Sequence, residues 1–289
     1  MSEVRGLGEF GLLQRIKPYL AARSGDDDAA MLPDDGEFAV VSCDMFVEGV
    51  HFDLAWMTAA DAGWRSLALA LGDLAAKGAT PSWALVSLAM PRRWAVENLD
   101  GLYQGMSELA RQSRFEIVGG DMSSIDGPAV VSITVAGRTD TLPLRRSQAM
   151  PGWSVAVSGP LGASAHALRE RRPLRLLPRL EEGRRLNQLG LCCGDISDGL
   201  LREMEKFAFM AHTGCLLHAA QVPVSEGATL EDALTGGEEA ELVCTGPEEL
   251  IQRAGLHSIG VLTADQAINV VGSRGEPVQV TRSGYDHFA

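Results

Sequence analysis

The chain has 289 residues, 46% of them apolar, and a formal net charge of −13. This much apolar surface excludes a disordered chain, and the acidic balance excludes a nucleic-acid surface, because the phosphate backbone would be repelled. No apolar stretch reaches the ~20 residues that cross a bilayer, the N-terminus lacks a signal peptide's basic-then-apolar layout, and five cysteines without a C-x-x-C pair lead us to expect a reduced, cytoplasmic protein. The length suits two domains.

In chain order, the first feature is SGDDDAAML, residues 24–32, where Asp26, Asp27 and Asp28 adjoin an apolar run. Two unit charges 4 Å apart repel by about 1 kcal/mol in water and by more when partly buried. Either these side chains point into solvent or a cation sits among them. FAVVSC (38–43) reads as a short buried strand. TAADAGWRSLALALGDLAAKGA then reads as a helix, with Thr58 and Asp61 as a capping-box-like start and Gly78 closing it. A strand over 82–90, a helix near 94–112, and strands in FEIVGG and AVVSITVAGR complete an α/β or α+β first half. Residues 139–152 break the pattern with Pro, Gly and polar residues and mark a domain boundary. Beyond it come a strand at 153–158, helices near 161–171 and 179–189, and an amphipathic helix in DGLLREMEKFAFMAHTG. After residue 240, short strands surround one helix.

One arrangement recurs: an apolar run, a small residue, then aspartate. VVSCD, LALALGD, EIVGGD and LCCGD supply Asp44, Asp73, Asp121 and Asp195. Three of the four are expected where a strand gives way to a loop, the edge at which many α/β folds gather ligands. Carboxylates offered one per element suit hard cations, and glycines beside them let backbone approach a phosphate. Together these point to a magnesium–nucleotide site. No G-x-x-x-x-G-K-[ST] loop is present, and lysine occurs only at 17, 77 and 206. Such a site must neutralise phosphate charge with metal ions held by aspartates, helped by an arginine. Each aspartate alone also has a plain reading: Asp73 lies four residues before Lys77 and suits a surface ion pair, Asp44 and Asp121 suit turns or N-caps, and DISDGL suits a helix start.

GEFGLL, DDAAML, CDMFVEGVHF, GWRSLALALGDLAAKGATPSW, IVGGD, LRRSQAMPG, ISDGL, GGEEAEL and GYDHF, taken together and in this order, resemble thiamine-monophosphate kinase. The aspartate-bearing stretches are shared with a wider superfamily of ATP-dependent enzymes, that of aminoimidazole ribonucleotide synthetase. VEGVHF and GYDHF point to the thiamine enzyme. The resemblance implies a two-domain fold, residues 1–140 binding ATP and metal and pairing into a barrel across a homodimer, and 141–289 completing the site. It implies transfer of the ATP γ-phosphate to thiamine monophosphate with several Mg2+ ions, and no nucleic-acid or membrane partner. Asp28, Ser42, the backbone of Cys43, Asp44, Asp73, Asp121, Asp195 and Asp198 would hold metal. Tyr103, Gly120, Asp121, Arg146 and Ser197 would face the nucleotide, with Arg146 as the neutralising arginine. His51, Glu238 and Tyr285 would sit at the thiamine end. Asp44, Asp73, Asp121 and Arg146 would carry the chemistry, with no covalent nucleophile. Against the family pattern, Asp26 replaces a common glycine, Cys43 a threonine and Gly72 a serine, and Ala240 stands in place of an aromatic ring expected near the substrate. Two alternatives stay open: a sibling kinase or synthetase with another acceptor, and a non-catalytic nucleotide-binding regulator.

Overall fold

The computed structural model describes residues 27–34 and 37–288, together with Gly11. Asp26 and most of GEFGLL lie outside them. The first half builds a five-stranded sheet in the order β1-β2-β5-β3-β4, from Ala30–Asp34, Glu37–Val47, Val130–Thr139, Thr80–Met90 and Glu116–Ser124 respectively. Two helices, α1 (Ala59–Ala76) and α2 (Val96–Gln112), cover one face. The second half builds a six-stranded sheet in the order β11-β8-β10-β6-β9-β7: Ile268–Val271, Gly214–His218, Ser258–Thr263, Ser154–Val157, Leu242–Gly246 and Cys192–Asp195. Helices α3 (Ala163–Arg169), α4 (Leu180–Gln188), α5 (Leu200–Ala211), α6 (Leu230–Thr235) and α7 (Glu248–Arg253) flank it.

Helix α1 holds the halves together. Fourteen of its eighteen residues are buried, because LALALGDLAA is apolar all round and needs partners on every side. Leu67, Leu71 and Leu74 enter the first core; Ala75 and Ala76 pack with Leu186, Leu191 and Cys193 of the second half. Thr58 caps it by accepting the Asp61 N–H at 3.1 Å, and the Thr58 hydroxyl rather than its backbone donates to the Asp61 carboxylate at 2.6 Å. Gly78 ends it with φ +61°, its N–H donating to the Ala75 carbonyl while that of Ala79 reaches Leu74, the paired bonds of a glycine-terminated helix.

Two expectations change. Asp44 and Asp121 do not end their strands: β2 runs on to Val47 along β5, and β4 to Ser124 along β3, because the ladders continue past them. Asp195 does end β7. Strands β1, β7 and β8 and helix α6, each of four to six residues, are too short to show a period in the sequence. The irregular 139–152 stretch includes a 3-10 turn, Arg146–Gln148, in which Arg146 is buried.

No helix among the described residues is long and apolar enough to cross a membrane.

Candidate active site

A cavity of about 770 Å³ opens between the two sheets' helices and loops. Asp28 reaches it from just before β1, Ser42 and Asp44 from β2, Asp73 from α1, and Asp195 from the end of β7. Ser197 and Asp198 enter from the β7–α5 loop, Arg146 from the 3-10 turn. At the other end stand His51, Glu238, Tyr285 and His287. Asp73 is therefore no surface ion-pair residue: α1 is buried around it, and Lys77, one turn on, points elsewhere.

One oxygen each from Asp28, Asp73 and Asp195 lies within 4.8 Å of the others. Gly72 packs directly against Asp195, so that a Cβ there would stand 3.2 Å from Asp195 Oδ2. The Ser42 hydroxyl lies within hydrogen-bond reach of both the Asp73 carboxyl and, at 3.3 Å, the Asp28 carbonyl, and its one proton serves one of them at a time. Burial pushes the Asp73 carboxyl well up from the ordinary range, and Asp44, Asp195 and Asp28 push it further. Burial does the same to Asp195, reinforced by Asp28 and Glu203. Asp44 is raised to about 6, again chiefly by burial. Burial also acts on Asp28, but Arg146 and Lys77 outweigh it and hold that carboxyl below its usual range.

The protein supplies three cations of its own. Lys77 Nζ sits 2.6 Å from Asp27 and 2.9 Å from Asp28, and donates to the Cys193 carbonyl at 3.0 Å. Arg146 pairs with Asp28, reaches Glu203 at 2.7 Å and stacks over Phe207. Lys206 pairs with Asp198 at 2.9 Å and Glu203 at 2.6 Å. Seven carboxyl groups (Asp27, Asp28, Asp44, Asp73, Asp195, Asp198 and Glu203) face these three, a formal excess of four negative charges if all ionise. Oxygen donors at this spacing, with an unbalanced negative charge, fit a hard divalent cation such as Mg2+. Asp27 also supports its neighbour directly, accepting the Asp28 N–H at 3.0 Å.

The far end is aromatic. His51 stacks on His287 at 5.1 Å, Tyr285 meets His287 edge-on at 4.7 Å, and Phe46 meets His51 edge-on at 5.7 Å. Burial pulls the His51 pKa down. His51 Nδ1 accepts the Val47 N–H at 3.0 Å. Glu238 holds a left-handed backbone, φ +58°, and pairs with Arg65, leaving Oε1 buried without a hydrogen-bond partner.

Three expected residues stay away from the cavity. Tyr103 is half-buried on α2 against the first core, and Gly120 and Asp121 lie exposed on the edge strand β4. Between Asp44 on β2 and Asp121 on β4 stand β5 and β3. Three strand spacings of ~4.8 Å put them about 14 Å apart, so one chain cannot bring both to a single ion. The Cys43 side chain points to the opposite face, towards Ser132 Oγ at 3.5 Å, which leaves its backbone alone to serve the site. Ala240 does not line the cavity; it is buried in the first core. Lys77, Glu203, Lys206 and His287 went unremarked as site residues in the sequence. The i, i+3 spacing of Glu203 and Lys206, five and eight residues past Asp198, is the signal that marks two of them.

Residues 25–139 match the family model "AIR synthase related protein, N-terminal domain". A thiamine-monophosphate kinase of Rhodopirellula baltica is 35% identical over 81% of this chain and 79% of its own length. The chain belongs to the thiamine-monophosphate kinase family. A thiamine-monophosphate kinase of Bacillus subtilis is 30% identical over 98% of the chain and all of its own length. Among solved structures, "AaThiL complexed with AMPPCP and TMP" superposes with a TM-score of 0.89 at 26% identity, covering 99% of both chains. The thiamine-monophosphate kinase family thus accounts for the fold across both sheets.

Proposed function

We propose that the chain transfers the γ-phosphate of ATP to the phosphate of thiamine monophosphate, giving ADP and thiamine diphosphate. One observation carries this reading. A single cavity joins an acidic end, where Asp28, Asp44, Asp73 and Asp195 meet Arg146, to an aromatic end of His51, Tyr285 and His287. The solved relative with a nucleotide analogue and TMP supports it.

Asp28, Ser42, the Cys43 carbonyl, Asp44, Asp73 and Asp195 would hold Mg2+. Bound there, Mg2+ would screen the two phosphate groups from each other and keep them in line. Arg146, pinned by Asp28 and Glu203, would turn its fork to phosphate oxygens, and Ser197 would face the same groups. Glu238 would set its unpartnered oxygen against the cationic end of the acceptor, with His51 and Tyr285 beside it. The acceptor phosphate is already anionic, so no general base is needed.

Gly120, Asp121 and Tyr103 would serve from a second copy. The outer edge of β4 has no partner strand among the described residues, and β1 covers β2 only as far as Val41, leaving the edge from Ser42 to Val47 open. Met45, Leu85, Val118 and Met122 are exposed on this sheet. Two open edges and an apolar surface support a homodimer closed through these sheets, with residues 1–140 as its pairing domain and 141–289 completing each site. The test is ADP release with and without thiamine monophosphate. Release that needs both the acceptor and Mg2+ is expected; the same slow release without acceptor sinks the proposal.

A further inference from the structure

The chain has three lysines, and both that are described, Lys77 and Lys206, end in the acidic cluster, while its other basic side chains are arginines and histidines. Lys77 lies behind the cavity with no exposure; Lys206 lines it. Around the Lys206 ammonium stand Asp198 Oδ2 at 2.9 Å, Glu203 Oε1 at 2.6 Å and Ser197 Oγ at 3.4 Å. Two carboxylates and a hydroxyl are the oxygen donors a divalent cation takes. An ammonium is a compact, strongly hydrated point charge able to stand in the same place. Glu203 is fully buried and also holds Arg146, so the position is built into the core rather than formed by chance at the surface.

We propose that Lys206 is a resident cation occupying the position framed by Asp198, Glu203 and Ser197, so that this chain binds one divalent ion fewer than its carboxylates would otherwise hold. The inference rests on the metal–nucleotide reading of the same cavity. Asp198 then serves the lysine, not a metal. The tethered charge cannot dissociate, so this part of the site stays neutralised at any Mg2+ concentration.

The test counts Mn2+ bound per chain in the presence of ADP, reading free Mn2+ by electron paramagnetic resonance. Lys206→Gln is expected to bind one more Mn2+ than the unaltered protein, and Lys206→Arg the unaltered number. Asp198→Asn, which keeps the lysine, is expected to lose none. Equal counts in Lys206→Gln and the unaltered protein overturn the inference, as does loss of one ion in Asp198→Asn. Asp198→Asn decides the matter even if Lys206→Gln fails to fold. An unaltered protein that binds no Mn2+ overturns the metal–nucleotide reading itself, a different result from an unchanged but non-zero count.

Discussion

Asp28 and Asp73 share one cavity, similar burial and one near neighbour, Asp195, yet their acidities are driven in opposite directions. Asp28 stands between Arg146 and Lys77, whose positive charges outweigh the cost of burying its own. Asp73 has a serine hydroxyl and three carboxylates around it. Burial alone therefore does not say what a buried acid is for. Asp28 is neutralised by the fold itself, whereas Asp73 and Asp195, whose ionisation burial and neighbouring carboxylates oppose, are left for a ligand's positive charge to balance.

The largest expected effect comes from removing the cation on the balanced side. Lys77→Met leaves Asp27 and Asp28 buried with Arg146 alone, and breaking a buried pair this way costs about 3–5 kcal/mol. Urea unfolding measures it; a loss under 1 kcal/mol would mean Lys77 does not balance Asp28. On the other side, Asp73→Asn should cut kcat by about 10²–10³, the usual cost of losing one group that stabilises transition-state charge. In metal-free protein the same change should raise the melting temperature, because a repelled charge is gone. A fall in both would equate Asp73 with Asp28.

Asp44 gives a smaller, pH-dependent contrast. Its folded pKa of about 6 exceeds the ordinary value of 3.8, so its contribution to stability is present at low pH and lost as pH rises through 6. Between pH 5 and 7 this amounts to about 1 kcal/mol. His51, lowered by burial, acts oppositely over the neighbouring range, so the clean reading is a difference. Metal-free Asp44→Asn should gain on the unaltered protein as pH rises from 5 to 7, and a constant gap would refute the assignment. The smallest effect is a control: Thr58→Ala removes the α1 cap, about 1 kcal/mol, and should leave kcat unchanged, since the cap lies fifteen residues from Asp73.

Much of the acidic end could be read from residue order, because each aspartate sits behind an apolar run that the core must take up. Asp44, Asp73 and Asp195 reach one cavity for that reason. The strand-end placement of Asp44 and Asp121 failed because ladder pairing, not local composition, decides where a strand stops. Asp121 shows a second limit: strand order is a long-range outcome, and it places this residue on an edge about 14 Å from Asp44. Lys77 was misread for a related reason. Its spacing from Asp73 predicts a pair, but a helix buried on every side can turn a lysine towards another segment, here Asp27 and Asp28.

The scarcity of lysine has a practical side. A chain labelled with nitrogen-15 at lysine carries only three side-chain ammonium groups. Two of them are pinned among carboxylates. The protein thus contains two native reporters, one behind the cavity and one on its wall. Titrating nucleotide and acceptor against those resonances would separate events at the wall from those in the scaffold, with no foreign group attached to the molecule.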